Sequence, residues 1–251
     1  MRSLARRTVA ATAVLVCSVA PLTACGGKGD TTITVLAASS LTGTFTDLAG
    51  QFEKEHPGVK VTLAFDSSAT LAQQASGGAP ADVLATADTA TMDSTKAVLA
   101  STPKNFATNV MVLVTPSDNP AGVTTFGDLN SAKVKYVVCV DTAPCGKVAG
   151  ALLEQDHITA APVSTEVDVK SVLAKVTEGE ADAGIVYTTD SVSAGDAVKT
   201  IAIPGSSKQV TTYPIATLDQ SKQSALAQDF VDLVLSSQGQ QVLQDAGFGA
   251  P

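Results

Sequence analysis

Tryptophan is absent from these 251 residues and aromatic side chains make up only 4%, too few for the stacking platforms that hold sugars and nucleobases. Arginine is confined to one end, because Arg2, Arg6 and Arg7 are the only three. From residue 25 onward the chain therefore carries 13 lysines against 24 acids, a net charge of −11. That balance argues against nucleic acid as a partner, which needs a basic face to displace counterions from phosphates, and against a basic membrane-surface protein. Histidine is also sparse: His56 and His157 stand alone. No HExxH, P-loop or GxGxxG pattern is present, so neither zinc nor nucleotide chemistry is indicated. What the chain does have is 45% hydrophobic residues and only 16% charged ones, enough to build a real core rather than a disordered acidic tail. Its length allows one large or two modest domains.

The three arginines precede a short apolar run at residues 8–20. Thirteen residues fall well below the ~20 needed to cross a bilayer, and a basic stretch before them marks a secretory signal. Leu22-Thr23-Ala24-Cys25 resembles the lipobox of bacterial lipoproteins, in which cleavage precedes the cysteine and the cysteine takes up lipid. The expectation is a signal peptide over residues 1–24, then a lipidated Cys25 and a flexible Gly-rich tether over 25–31. The protein is then extracytoplasmic, held to the cell membrane by its lipid and facing outward. Cys17 leaves with the signal, so Cys139 and Cys145 remain. In an oxidising compartment that close pair, with Pro144 between, can form a small-loop disulfide.

From residue 32 onward, β-rich runs alternate with helical patterns. Strands are expected near residues 32–37, 59–65, 82–85, 110–114, 134–140, 183–187, 201–204 and 210–217. Leu41, Phe45, Leu48, Ala49 and Phe52 share one face of a helix closed by Pro57-Gly58. Leu71, Ala72 and Ala75 mark a second helix, and Val169, Val172, Leu173 and Val176 another. Helical patterns fill residues 220–246. The alternation predicts an α/β fold with mostly parallel sheets flanked by helices, and so many strands imply two lobes.

Four strand-to-helix turns carry the polar groups. They are 37–42 (AASSLT), 65–71 (FDSSATL), 141–146 (DTAPCG) and 166–170 (EVDVK). Open α/β sheets bind ligands beyond the carboxyl ends of their strands. Helix N-termini there present unpaired N–H groups and a partial positive charge to an anion. The bland alternative for Ser40 and Ser68 is helix capping. For Tyr187, at the end of an apolar strand, it is a half-buried core residue. Lys147 and Lys170, beside two of the turns, read as solvated surface.

Several of these segments resemble periplasmic molybdate-binding proteins: residues 33–42 (ITVLAASSLT), 65–72 (FDSSATLA), 78–82 (GAPAD), 184–187 (GIVY) and Tyr213-Pro214, in order over nearly the whole chain after residue 32. The resemblance implies a two-lobed receptor of the class-II periplasmic binding type, closing on molybdate, with tungstate alongside it. Residues 32–110 with 211–251 form one lobe and 111–210 the other, with hinges near Val112 and Ser206. It implies no cofactor and no enzymatic activity, a monomer, and as partners the permease and ATPase subunits of an ABC importer. Carried over by motif, Ser40 and Ser68 each give a hydroxyl and an N–H, Val169 an N–H and Tyr187 its phenol. The third turn is shorter than in other members and has Cys145 where they show Ala. Pro144 has no N–H, which leaves Cys145 or Gly146 as its donor. A Cys139–Cys145 bridge would brace this turn.

A site built only of neutral donors suits a fully deprotonated oxyanion, which offers acceptors alone, and rejects protonated phosphate, whose O–H finds no partner. Sulfate or phosphate on the same fold is the alternative ligand, since fold does not fix ligand. A serine hydrolase would need G-x-S-x-G or an imidazole in reach; Ser101-Thr102-Pro103-Lys104 matches S-x-x-K, but no K-T-G follows. Net charge predicts that repulsion slows association with a dianion at low salt and that added salt speeds it.

Overall fold

The computed structural model describes residues 31–251. The expected signal peptide, and the tether with Cys25 apart from Thr31, lie outside the described residues. Ten strands occur in the order β1 Thr31–Ala38, β2 Val59–Asp66, β3 Val83–Ala85, β4 Lys104–Asn109, β5 Met111–Pro116, β6 Tyr136–Cys139, β7 Ser164–Glu166, β8 Ala183–Tyr187, β9 Val198–Ala202 and β10 Thr211–Thr217. The helices are α1 Thr42–Glu55, α2 Ser68–Ser76, α3 Thr89–Asp93, α4 Pro144–Gln155, α5 Val169–Thr177, α6 Thr188–Ala194, α7 Ser224–Leu235 and α8 Ser237–Asp245.

The strands form two five-stranded sheets, ordered β2-β1-β3-β10-β4 and β7-β6-β8-β5-β9. In the first, β1 runs parallel to β2 and β3, and β10 runs antiparallel to both its neighbours. In the second, β6 runs parallel to β7 and β8, and β5 is the reversed strand. Each sheet is therefore mostly parallel, and its one reversed strand is the first to enter after the chain crosses from the other sheet. The first crossing is Val110, between β4 and β5, and the second is residues 203–210, between β9 and β10. Val112, expected near a hinge, lies inside β5, while Ser206 falls within the second crossing.

Hydrophobic burial divides the same way. One buried cluster draws only on residues from Met111 to Ile203. The others draw on residues 33–107 and 213–248. β1 lies between two partners and buries Val35, Leu36, Ala37 and Ala38 in succession, the near-continuous apolar run of a strand covered on both faces. The stripe Leu41, Phe45, Leu48, Ala49 and Phe52 is buried throughout, and Phe45 and Phe52 meet Phe230 of α7 edge-on at 5.9 and 5.5 Å. β4 and β7 were not among the expected strands: KNFATN and STE show too few apolar residues to mark a strand by alternation. β9 begins three residues before the expected run and ends at Ala202.

Candidate functional site

Residues at the carboxyl ends of six strands meet around one cavity. Ala38 and Ser40 follow β1, Asp66 and Ser68 lie at the end of β2, and Ala87 follows β3. From the other sheet come Ala143, Pro144 and Cys145 after β6, Asp168 and Val169 after β7, and Tyr187 at the end of β8. The cavity is small, with about 10 Å³ open to the centre of a water-sized sphere, room on the scale of one small ion or water rather than a drug-sized organic ligand. The five residues expected to donate to a ligand, Ser40, Ser68, Cys145, Val169 and Tyr187, all line it.

The local folding explains why their donors are free. Ser68 opens α2, Cys145 sits one residue inside α4 behind Pro144, and Val169 opens α5. First-turn N–H groups have no acceptor within the helix, and the aligned peptide dipoles give that end a partial positive charge. Asp168 caps α5 by accepting the Ser171 N–H at 2.8 Å, which leaves the Val169 N–H to the cavity. In the third turn, Gly146 N–H donates to Ala143 O at 3.0 Å. Pro144 has none to give, so of Cys145 and Gly146 it is Cys145 whose N–H stays uncommitted beside the cavity.

The same turn is rigid. Cys139 and Cys145 are joined by a disulfide, Cα to Cα 5.8 Å. A Cβ at residue 146 would lie 1.9 Å from Val140 O, so only glycine lets α4 approach the end of β6 this closely.

The serines are not caps. Ser40 Oγ bonds Tyr213 Oη at 3.0 Å, and Ser68 Oγ accepts the Ala87 N–H at 2.9 Å from the turn after β3. Neither side chain bonds a first-turn N–H of α1 or α2. Tyr187 is 1% exposed and its hydroxyl has no hydrogen-bond partner among the described residues. The Thr211 and Tyr213 hydroxyls lie beside it without bonding geometry. Burial pushes the phenols of Tyr187 and Tyr213 far above the usual tyrosine range, so both keep their protons.

Among the described residues no cation lines the cavity. Lys147 reaches Asp88 at 3.1 Å and Lys170 reaches Asp190 at 2.9 Å, so both lysines are ion-paired rather than simply solvated. Asp190 is fully buried: burial raises its carboxyl above the usual range, Lys170 pulls it back, and it also accepts the Tyr187 N–H at 3.2 Å. His56 stacks on Phe52 and faces Asp229, and neither histidine lines the cavity. No serine there has an imidazole to act as base. Among the described residues no group of three or more His, Cys, Asp or Glu is placed to hold a metal ion, and no helix is long and apolar enough to cross a membrane.

Two contributors escaped the sequence reading. Ala87 carried no polar signal because its part is a backbone N–H, although Asp88 before Thr89 is an N-cap signature that marks the turn. Tyr213 stood out only through its motif with Pro214, and its contact with Ser40 joins residues 173 apart.

The family described as bacterial extracellular solute-binding protein matches residues 33–249. A molybdate-binding protein of Mycobacterium tuberculosis is 41% identical over 246 residues, covering 93% of this chain and 94% of that protein. Among solved structures, the substrate-binding domain of a putative molybdenum ABC transporter from Clostridium difficile is 31% identical with a TM-score of 0.65, covering 88% of this chain and 99% of that one. A periplasmic molybdate-binding protein of Azotobacter vinelandii shares the fold at a TM-score of 0.78 and 20% identity, covering 87% and 99%.

Proposed function

The chain belongs to the bacterial extracellular solute-binding protein family, and from that premise we propose that it captures molybdate outside the cytoplasm and delivers it to an ABC importer. Its relatives are substrate-binding proteins of transporters rather than enzymes. The observation that carries the reading is the donor set. Five lining residues, Ser40, Ser68, Cys145, Val169 and Tyr187, can offer backbone N–H or hydroxyl donors, the lining carboxylates of Asp66 and Asp168 each accept a backbone N–H, and among the described residues no cation lines the cavity. A buried hydroxyl without a partner costs about 1–3 kcal/mol, and an oxyanion accepting from Tyr187 removes that cost.

Neutral donors make the selectivity intelligible. Each hydrogen bond to a charged group contributes about 1.5–3 kcal/mol, so several together replace the hydration of a dianion without a countercharge. A lysine in the wall would attract carboxylates and monoanions equally; fixed donors require an acceptor at every contact. The three helix N-termini add field without adding a proton. Tungstate, of the same charge and shape, is accepted alongside molybdate.

Residues 32–110 with 211–251 act as one lobe and 111–210 as the other. Because donors come from both sheets, the ion is fully held only when the lobes close about the two crossings. The closed surface is what permease and ATPase subunits receive. Lipid on Cys25 keeps a monomeric receptor beside them. Incubation of the purified protein with molybdate, followed by gel filtration and elemental analysis, should return one molybdenum per chain. Tungsten should load equally, and a protein that emerges free of both would overturn the reading.

A further inference from the structure

A hydroxyl has one proton, and whether it serves an anion depends on where that proton points. Ser68 settles this with a backbone donor: the Ala87 N–H can only donate, so its 2.9 Å contact occupies an acceptor site of Ser68 Oγ and leaves the Ser68 proton for the cavity. At Ser40 the partner is another hydroxyl, Tyr213 Oη at 3.0 Å, and either oxygen can be the donor. If Ser40 donated to Tyr213, its lone pairs would face the anion and repel it.

Tyr213 is held in place. It is fully buried in β10, with ring centroids 5.3 Å from Phe248, 6.0 Å from Tyr187 and 6.2 Å from Phe106. It does not line the cavity. The register of β10 against β4 slips between Tyr213 and Pro214. Pro214 cannot donate to the ladder, and a bulge there re-aims the neighbouring side chain. We propose that Tyr213 is a positioning residue whose O–H donates to Ser40 Oγ and so turns the single Ser40 proton toward the bound oxyanion. Burial keeps the phenol protonated, which makes it a permanent donor. Both serines then follow one rule: a fixed protein donor fills the acceptor side, and the proton is left for the ligand. The inference rests on the oxyanion reading above.

Tyr213→Phe removes one oxygen and keeps the ring. Calorimetric titration with molybdate should show affinity about three- to tenfold lower than wild type, with circular dichroism unchanged. The decisive comparison uses double variants. In a Ser40→Ala background, Tyr213→Phe should have no further effect on affinity, because the hydroxyl it orients is gone. In a Ser68→Ala background it should cost its full factor. Equal losses in both backgrounds, or a Tyr213→Phe affinity within error of wild type, would overturn the positioning role while leaving the molybdate reading intact. A wild-type protein that binds no oxyanion in the same titration would overturn both. Should Tyr213→Phe fail to fold, the Ser40→Ala and Ser68→Ala single variants still decide: if Ser40→Ala leaves affinity unchanged while Ser68→Ala lowers it, the Ser40 proton does not serve the ligand.

Discussion

Replacing Ser68 by alanine tests ligand binding and folding by separate assays, because its hydroxyl accepts the Ala87 N–H and, in the proposed site, donates to the ligand. Toward the cavity, the variant loses one hydrogen bond to a dianion, about 1.5–3 kcal/mol, or on the order of 10- to 150-fold in affinity. Toward the protein, the Ala87 N–H loses the acceptor it holds at 2.9 Å, and a buried unsatisfied donor costs about 1–3 kcal/mol of stability. For a chain of this size each kcal/mol lowers Tm by about 2–4 °C. Loss of a helix cap is not at issue, since Ser68 Oγ caps no helix. Isothermal titration with molybdate at fixed ionic strength measures the first effect, and thermal unfolding of the free protein measures the second. Both should appear. A fall in Tm with affinity within twofold of wild type would reduce Ser68 to a structural tie between β2 and the turn after β3 and refute its place in the site.

Opening the Cys139–Cys145 bridge, by the double alanine variant or by reductant, should lower stability by about 2 kcal/mol as expected for a short loop. Affinity should change less than threefold, because residue 145 contributes through its backbone; a collapse of binding would show that the bridge itself shapes the site. Gly146→Ala brings a Cβ to 1.9 Å from Val140 O and should destabilise by about 3 kcal/mol or more, read by urea unfolding; a stability within ~0.5 kcal/mol would contradict the packing of α4 on β6. Asp190 sits above its ordinary 3.8 because of burial, offset in part by Lys170. A raised carboxyl binds its proton more tightly when folded, so its stabilising contribution is complete below 3.8 and is lost as pH rises through the folded value. The Tm of wild type minus that of Asp190→Asn should therefore fall as pH rises above about 4; a rise would mean that Lys170 dominates and the carboxyl is lowered.

Much of this was legible in the chain because it is local. The stripe from Leu41 to Phe52 states a helix and its buried face in five residues, and both proved right because all five side chains are buried, four of them in one core cluster. The turns after β1, β2, β6 and β7 were readable because a polar cluster between an apolar run and a helical pattern has few structural meanings. What sequence could not show is pairing at a distance. Whether Ser40 Oγ served a helix end or a partner 173 residues away was undecided until β10 was placed beside β3 and β4. Ala87 was invisible for a different reason: its contribution is a backbone N–H, and any residue but proline supplies one. That the Gly146 N–H is committed to Ala143 O was likewise visible only in the folded turn. β4 and β7 are edge strands with few apolar residues, and sheet edges need little apolar patterning, so alternation could not announce them.

The central claim is that neutral donors at strand and helix ends select a deprotonated tetrahedral dianion by geometry. One calorimetric series tests it directly: molybdate, tungstate, sulfate and phosphate titrated into the same protein at one pH and ionic strength. The account predicts tight one-to-one binding of molybdate and tungstate, with phosphate, which carries a proton at neutral pH, weaker by at least about a hundredfold, roughly 2.7 kcal/mol, and with sulfate, a smaller dianion that cannot reach every donor at once, weaker than molybdate. Equal affinity for all four, or preference for phosphate, would contradict it.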